Sequence, residues 1–290
     1  MLAVVLALAA GVLFGAYTVL LRTSATDGRV PMVAAVYCTL VSAGLIGAAA
    51  LLTGGFGDSE PRALLLYGLT GMLVPGVSQY AFVGAIQHAG PARAAVLIGL
   101  APLFSAGIAI AVRGEPLRPA LAAGTLLVVA GCASLAWDRS RPAHFRTLGV
   151  VLGVVCAVLF GVRDNLIRAI STDLHAAPLA ATAASVGGGA LALLLVQGIR
   201  SGGRLPAELV AVSGAFSLAA LTLALAYVAI VGALAVGRVT VVAPLNASQA
   251  LFGVLISARL LGRRDAVGPR LVLAAVLIVA GGALVAATAG

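Results

Sequence analysis

One stretch of this chain sets a cation, an anion and an amide side by side inside an apolar run: Arg163, Asp164 and Asn165 in VLFGVRDNLIRAI. A guanidinium there offers a fork of N–H donors to a carboxylate or phosphate. The Asp164 carboxylate offers an amine a counter-charge, or carries a coupling proton or ion. The alternative is a self-satisfied charge cluster. Asp164 and Arg168 are four apart and can pair along one helix face, while Arg163 snorkels to the helix edge. Polar side chains in the other apolar runs are sparse: Tyr17 and Thr18, Gln79 and Tyr80, Thr222 and Tyr227, then Asn246, Ser248 and Gln249. Asn246 and Gln249, three apart, share a face if helical. Each of these groups suits a small polar solute, and each suits interhelical glue. We expect Tyr17, Gln79, Tyr80, Arg163, Asp164, Asn165, Tyr227, Asn246 and Gln249 to surround one substrate.

Other chemistries find less support. His88, His144 and His175 fall at loops or span ends, too scattered for a metal site. Cys38, Cys132 and Cys156 each lie in an apolar run and read as packing residues. Glu115, in Arg113-Gly114-Glu115-Pro116, reads as a cap or salt-bridge partner. There is no GxxxxGK[ST] and no complete GxGxxG, so no nucleotide-driven pump is expected. No cofactor, no metal and no catalytic residue is expected. A membrane-embedded enzyme on a lipid-linked substrate would need clustered His, paired carboxylates or a metal set. A non-transporting scaffold would leave the polar groups no cavity to line.

Three prolines point to where such a site would be. Pro75 follows Val74 and precedes Gly76; Pro102 and Pro244 stand in matching Ala-Pro-Leu triplets at 101–103 and 243–245. Proline lacks an N–H and its ring collides with the carbonyl four residues back. The freed carbonyls at membrane depth are tolerated only against protein or a watery cavity. Paired broken helices are where a midplane binding site is expected in a secondary transporter. Kinks that merely shape the bundle are the competing explanation.

The elements that must hold these residues are membrane spans. The 290-residue chain is 62% hydrophobic and 9% charged, with mean hydropathy +1.15, which excludes an ordinary soluble domain. A span needs roughly 20 apolar residues. Ten segments qualify: 2–22, 32–53, 63–86, 92–112, 117–137, 148–169, 176–198, 207–231, 237–257 and 268–288. The first lacks a basic flank and is expected to be retained as a span. All 18 basic residues are Arg, set mainly near span ends, so the +9 charge is read as meeting lipid headgroups and not nucleic acid.

The chain also repeats itself. Residues 11–26 (GVLFGAYTVLLRTSAT) and 157–172 (AVLFGVRDNLIRAIST) share Val12/Val158, Leu13/Leu159, Phe14/Phe160, Gly15/Gly161, Leu20/Leu166, Arg22/Arg168 and Thr26/Thr172. Tyr17, Thr18 and Val19 of the first copy are replaced by Arg163, Asp164 and Asn165. The polar stretch 138–147 divides two five-span units, 1–137 and 148–290. Copies with an odd number of spans must be inverted relative to each other. Arg clusters in the odd loops, which by the positive-inside rule puts those loops and the linker in the cytoplasm and both termini outside.

The five-span duplication, the Phe-Gly pair near the start of each copy and the APLF…RGEPL…G stretch from Ala101 to Gly124 resemble EamA-type members of the drug/metabolite transporter superfamily. The resemblance implies ten helices in an inverted 5+5 arrangement around a cavity lined by spans 1, 3, 4, 6, 8 and 9. It implies an all-α, multi-pass protein of a bacterial-type inner membrane that moves a small metabolite such as an amino acid or its derivative, with membrane lipids as its surroundings. It also implies cytoplasmic termini, opposite to the Arg count. Two departures stand out. The second copy reads Leu261-Gly262-Arg263-Arg264-Asp265 where Gly114-Glu115 would recur, and span 1 has no acid. Asp164, in the matching span of the other half, is the substitute. Alternating access with outward transport is the expected function.

Overall fold

A computed structural model describes residues 1–24, 32–113, 123–124, 126–127, 130–131, 146–237, 242, 245–261 and 268–288. Pro244, Glu115, Cys132 and His144 lie outside these residues, as do most of the expected fifth span and of the 138–147 linker. The described residues form helices and no strand. Hydrocarbon offers nothing to bond to an open N–H or C=O, so an apolar run satisfies its own backbone by coiling.

The helices are α1 (Leu2–Thr23), α2 (Met32–Leu52), α3 (Pro61–Ala89), α4 (Pro91–Ile98), α5 (Ala101–Arg113), α6 (Thr147–Asp173), α7 (Pro178–Ser201), α8 (Leu205–Val236), α9 (Gln249–Leu260) and α10 (Pro269–Thr288). Six of them, α1, α2, α3, α6, α7 and α8, are long and apolar enough to cross a membrane. The core is mainly apolar, and the exposed surface is apolar as well, unlike that of a soluble protein. Leu2, Val5, Leu8 and Val12 of α1 are exposed at helical spacing, whereas Gln79, Arg163 and Asp164 are buried. The outer surface suits lipid and the interior holds these polar groups.

Two helices are interrupted near the expected prolines. In α3 a π turn at Met72–Val77 contains Val74 in extended geometry (φ −140°, ψ 111°), with Pro75 directly after it. The fourth expected span is split: α4 ends at Ile98, and α5 begins at Ala101 with Pro102 in its first turn, where a missing N–H costs nothing. α8 runs unbroken for 32 residues.

Without a hydrophobic force between helices in lipid, close packing and small residues join them. Gly71 and Gly188 are the sharpest cases. A Cβ at Gly71 would land on the Ser185 carbonyl, and one at Gly188 on the Gly68 carbonyl, so α3 and α7 touch main chain to main chain. Gly189 sits against the Pro75 ring. The triple glycine 187–189 is therefore a contact surface at two of its positions, while Gly187 faces open space.

The register of these contacts fixes helix directions. Gly68 and Gly76 meet Ala184 and Ala192, so α3 and α7 are parallel. Gly11 meets Ser248 and Gly15 meets Gly253, making α1 and α9 parallel. Gly153 meets Leu97 and Gly161 meets Phe104, making α6 parallel to α4 and α5. Cys38 and Ser42 reach the carbonyls of Phe216 and Ala220, making α2 and α8 parallel. Three pairs run oppositely: α1 with α8 (Leu6 by Gly232, Ala3 by Gly237), α3 with α6 (Gly84 by Leu152, Ala89 by Gly149) and α4 with α9 (Ala95 by Gly253, Gly99 by Ala250). Thus α1, α3, α7 and α9 point one way, and α2, α4, α5, α6 and α8 the other.

Candidate functional site

The buried polar groups begin at α6. Arg163 stands 16 residues into this helix and 10 from its end, about 24 and 15 Å along the axis. It does not snorkel. Its side chain is 1% exposed and that of Asp164 4%. Asp164 pairs with its neighbour: Arg163 Nε and Nη2 both donate to Asp164 Oδ1, at 3.0 and 2.8 Å. The guanidinium carbon lies 4.7 Å from the centre of the Phe160 ring, one turn back, a cation–π distance. Nη1 is buried and has no hydrogen-bond partner among the described residues. The arrangement is a fixed guanidinium with one arm held and one arm free.

Across from it, α1, α2 and α3 supply a second group. Gln79 Nε2 donates to Tyr17 Oη at 3.4 Å and to Thr39 Oγ1 at 3.3 Å. The Tyr17 ring stacks on Phe82, centroids 5.6 Å apart and nearly coplanar. Gln79 is positioned just beyond the π turn, so the break in α3 aims it. Tyr227 of α8 joins the two groups. Its ring meets Phe14 edge-on at 5.5 Å, and it lies within electrostatic reach of both Tyr17 and Arg163. Tyr17, Gln79, Tyr227, Arg163 and Asp164 thus form one connected neighbourhood.

The remaining expected residues sit elsewhere. Asn165, half-buried, turns to α5 and donates from Nδ2 to Ser105 O and Oγ, both at 3.1 Å, and to Gly161 O at 2.9 Å. Tyr80 turns to α7, where the Arg200 guanidinium carbon is 5.6 Å from its ring centre, and its buried Oη lacks a partner among the described residues. Asn246, Ser248 and Gln249 are buried where α9 begins, with Ser248 against Gly11 of α1. Asn246 Oδ1 and Ser248 Oγ have no partner among the described residues. Among those residues no three His, Cys, Asp or Glu gather where a metal ion could be held.

Sequence reasoning passed over Thr39, Ser105, Phe160 and Phe82. Phe160 and Arg163 are three apart, a spacing that could have signalled the stack. Ser105 sits three residues after the break-marking Pro102. Thr39 carried no signal, because its role depends on how α2 meets α3.

Apolar outer faces, buried charge and broken helices define a multi-pass membrane protein with a few polar groups buried among its helices. Residues 1–137 match the EamA-like transporter family. The chain is also 30% identical over 176 residues to the aromatic amino acid exporter YddG of Ancylobacter novellus, a match covering 58% of this chain and 60% of that protein. A crystal structure of a protein with 20% identity aligns with a TM-score of 0.65 over 99% of this chain and 96% of its own, a likeness of fold.

Proposed function

We propose that this chain is a secondary transporter that moves a small metabolite bearing an anionic group outward by alternating access. One observation carries the reading. Arg163 and Asp164 are adjacent on one helix, so their ion pair joins no two elements, yet both charges are buried at membrane depth. Burying such a pair brings little or no net stability, and an intramembrane charge without a structural return is a functional group by default. Arg163 Nη1 receives the substrate's carboxylate or phosphate. Asp164 offers a counter-charge to an amine, or carries the coupling proton or ion. Tyr17, Gln79 and Tyr227 supply the aromatic and amide walls. Tyr80, Asn165, Asn246 and Gln249 complete the lining in other states of the cycle, and the breaks at Pro75 and Pro102 let the helices bend around it.

The architecture we infer is a ten-helix inverted repeat, residues 1–137 and 148–290 joined by the 138–147 linker, with a central cavity. Its support is the helix directions: α1 and α6, the two repeat-bearing helices, run oppositely, and so do α2 and α7, and α3 and α8. The contacts also exchange as a two-fold requires. α1 lies on α8 as α6 lies on α3, α2 on α8 as α7 on α3, and α1 on α9 as α6 on α4 and α5. The family match and the named relative favour a transporter over an enzyme, and the relative's name suggests an amino acid or its derivative as substrate.

The test is transport of radiolabelled amino acids, aromatic ones first, into proteoliposomes holding the purified protein. Wild-type protein is expected to transport at least one and the Arg163→Gln/Asp164→Asn double variant none. Equal rates from the two would remove these residues from the mechanism.

A further inference from the structure

Two loops meet on the face where α2 ends and α3 begins. One joins α2 to α3 (residues 53–60); the other joins α6 to α7 (174–177). Glu60 N–H donates to the His175 carbonyl at 3.0 Å, and His175 N–H donates to Glu60 Oε1 at 2.7 Å. Ala177 N–H donates to Ser59 Oγ at 3.0 Å, and that hydroxyl donates onward to Gly55 O at 2.6 Å. His175 Nε2 stands 3.7 Å from Asp58 Oδ2, but the side chains are 67% and 78% exposed, so solvent screens this pair.

Glu60 is spent in an unusual way. It occupies the N-cap position of α3, where a carboxylate ordinarily serves its own helix's free N–H groups. It makes no side-chain cap bond there. Its oxygen goes instead to the main chain of the other half of the molecule. The join is also built unlike its neighbours. At Gly71 and Gly188, α3 and α7 interlock dry, backbone on backbone. At the loops the contact is polar and partly open to water, and the apolar side chains behind it, Phe56, Leu174, Ala176 and Ala177, are only partly buried against the core. Contacts with many exposed hydrogen bonds and little apolar burial are the ones that open first.

We propose that the Glu60–His175 and Ser59–Ala177 bonds form a latch that closes one face of the translocation path and must release in each cycle. The latch rests on the alternating-access reading and adds to it a defined, extramembrane point of release. Cross-linking tests it. In protein with Cys38, Cys132 and Cys156 replaced by Ala, Ser59→Cys with Ala177→Cys is oxidised in proteoliposomes and assayed with radiolabelled phenylalanine. The latch predicts at least a tenfold loss of transport on oxidation, regained on reduction. Full-rate transport from quantitatively cross-linked protein overturns it. Spin labels at Gly57→Cys and Asp173→Cys judge the latch without transport. A short and a long distance, the long one enriched by Glu60→Ala, support it. A single short distance unaltered by Glu60→Ala overturns it. Absence of transport of every labelled amino acid by the reduced protein, phenylalanine included, would count against the transport reading, while the distances still decide the latch.

Discussion

Arg163 and Asp164 sit on one turn of one helix, and that proximity sets what their mutation does. Arg163→Ala removes the partner of a buried carboxylate, and such an orphaned charge costs about 3–5 kcal/mol. The single variant should therefore unfold at lower temperature as well as lose transport. Arg163→Gln with Asp164→Asn removes both charges and keeps hydrogen-bonding groups. Its melting temperature should return toward wild type while transport stays lost, and detergent thermal shift beside proteoliposome flux separates the two effects. Asn165 belongs to another class. Its Nδ2 contacts to Ser105 join α6 to α5, and side-chain bonds between membrane helices average about 0.6 kcal/mol. A double-mutant cycle of Asn165→Ala and Ser105→Ala should return a coupling of that order. A coupling near zero would mean the contact holds nothing. Tyr17→Phe deletes the hydroxyl that receives Gln79 but keeps the stack on Phe82, so it should raise KM for substrate more than it lowers the maximal rate.

The helices carry their instructions unevenly. Spans 1, 2, 3, 6, 7 and 8 were legible because each is a long apolar run bounded by Gly, Pro or charge. The interruptions near Pro75 and Pro102 were legible because proline removes a donor. Other features depend on neighbours and leave no local mark. Thr39 meets Gln79 only because of how α2 lies on α3, and the spacing of Asp164 and Arg168 suggested a pair that Arg163 takes instead. The triple glycine shows the difference within three residues. Nothing lies within 4 Å of a Cβ at Gly187, whereas one at Gly188 would strike the Gly68 carbonyl. Gly187→Ala should leave expression and melting temperature unchanged. Gly188→Leu should force α3 from α7 and abolish monodisperse protein in size-exclusion chromatography. Equal behaviour of the two variants would mean the helices do not meet there.

Across the whole molecule, the inverted repeat we propose has equivalent helices entering from opposite faces. Tyr17 rises from one face along α1 and Arg163 descends from the other along α6, and they reach a common level near Tyr227. A duplicated sequence thus carries two chemically different groups, aromatic and amide in one copy and charged in the other, with Tyr227 between them. On the function we propose, the divergence of Tyr17-Thr18-Val19 from Arg163-Asp164-Asn165 is where the two copies would come to handle a substrate differently. The relation of the two halves is tested most directly by labelling single cysteines at Ala3 and Thr147, the starts of α1 and α6, in intact cells with a membrane-impermeant maleimide. The inverted arrangement predicts that one of the two reacts from outside and the other only after the membrane is permeabilised. Labelling of both from the same side would contradict it.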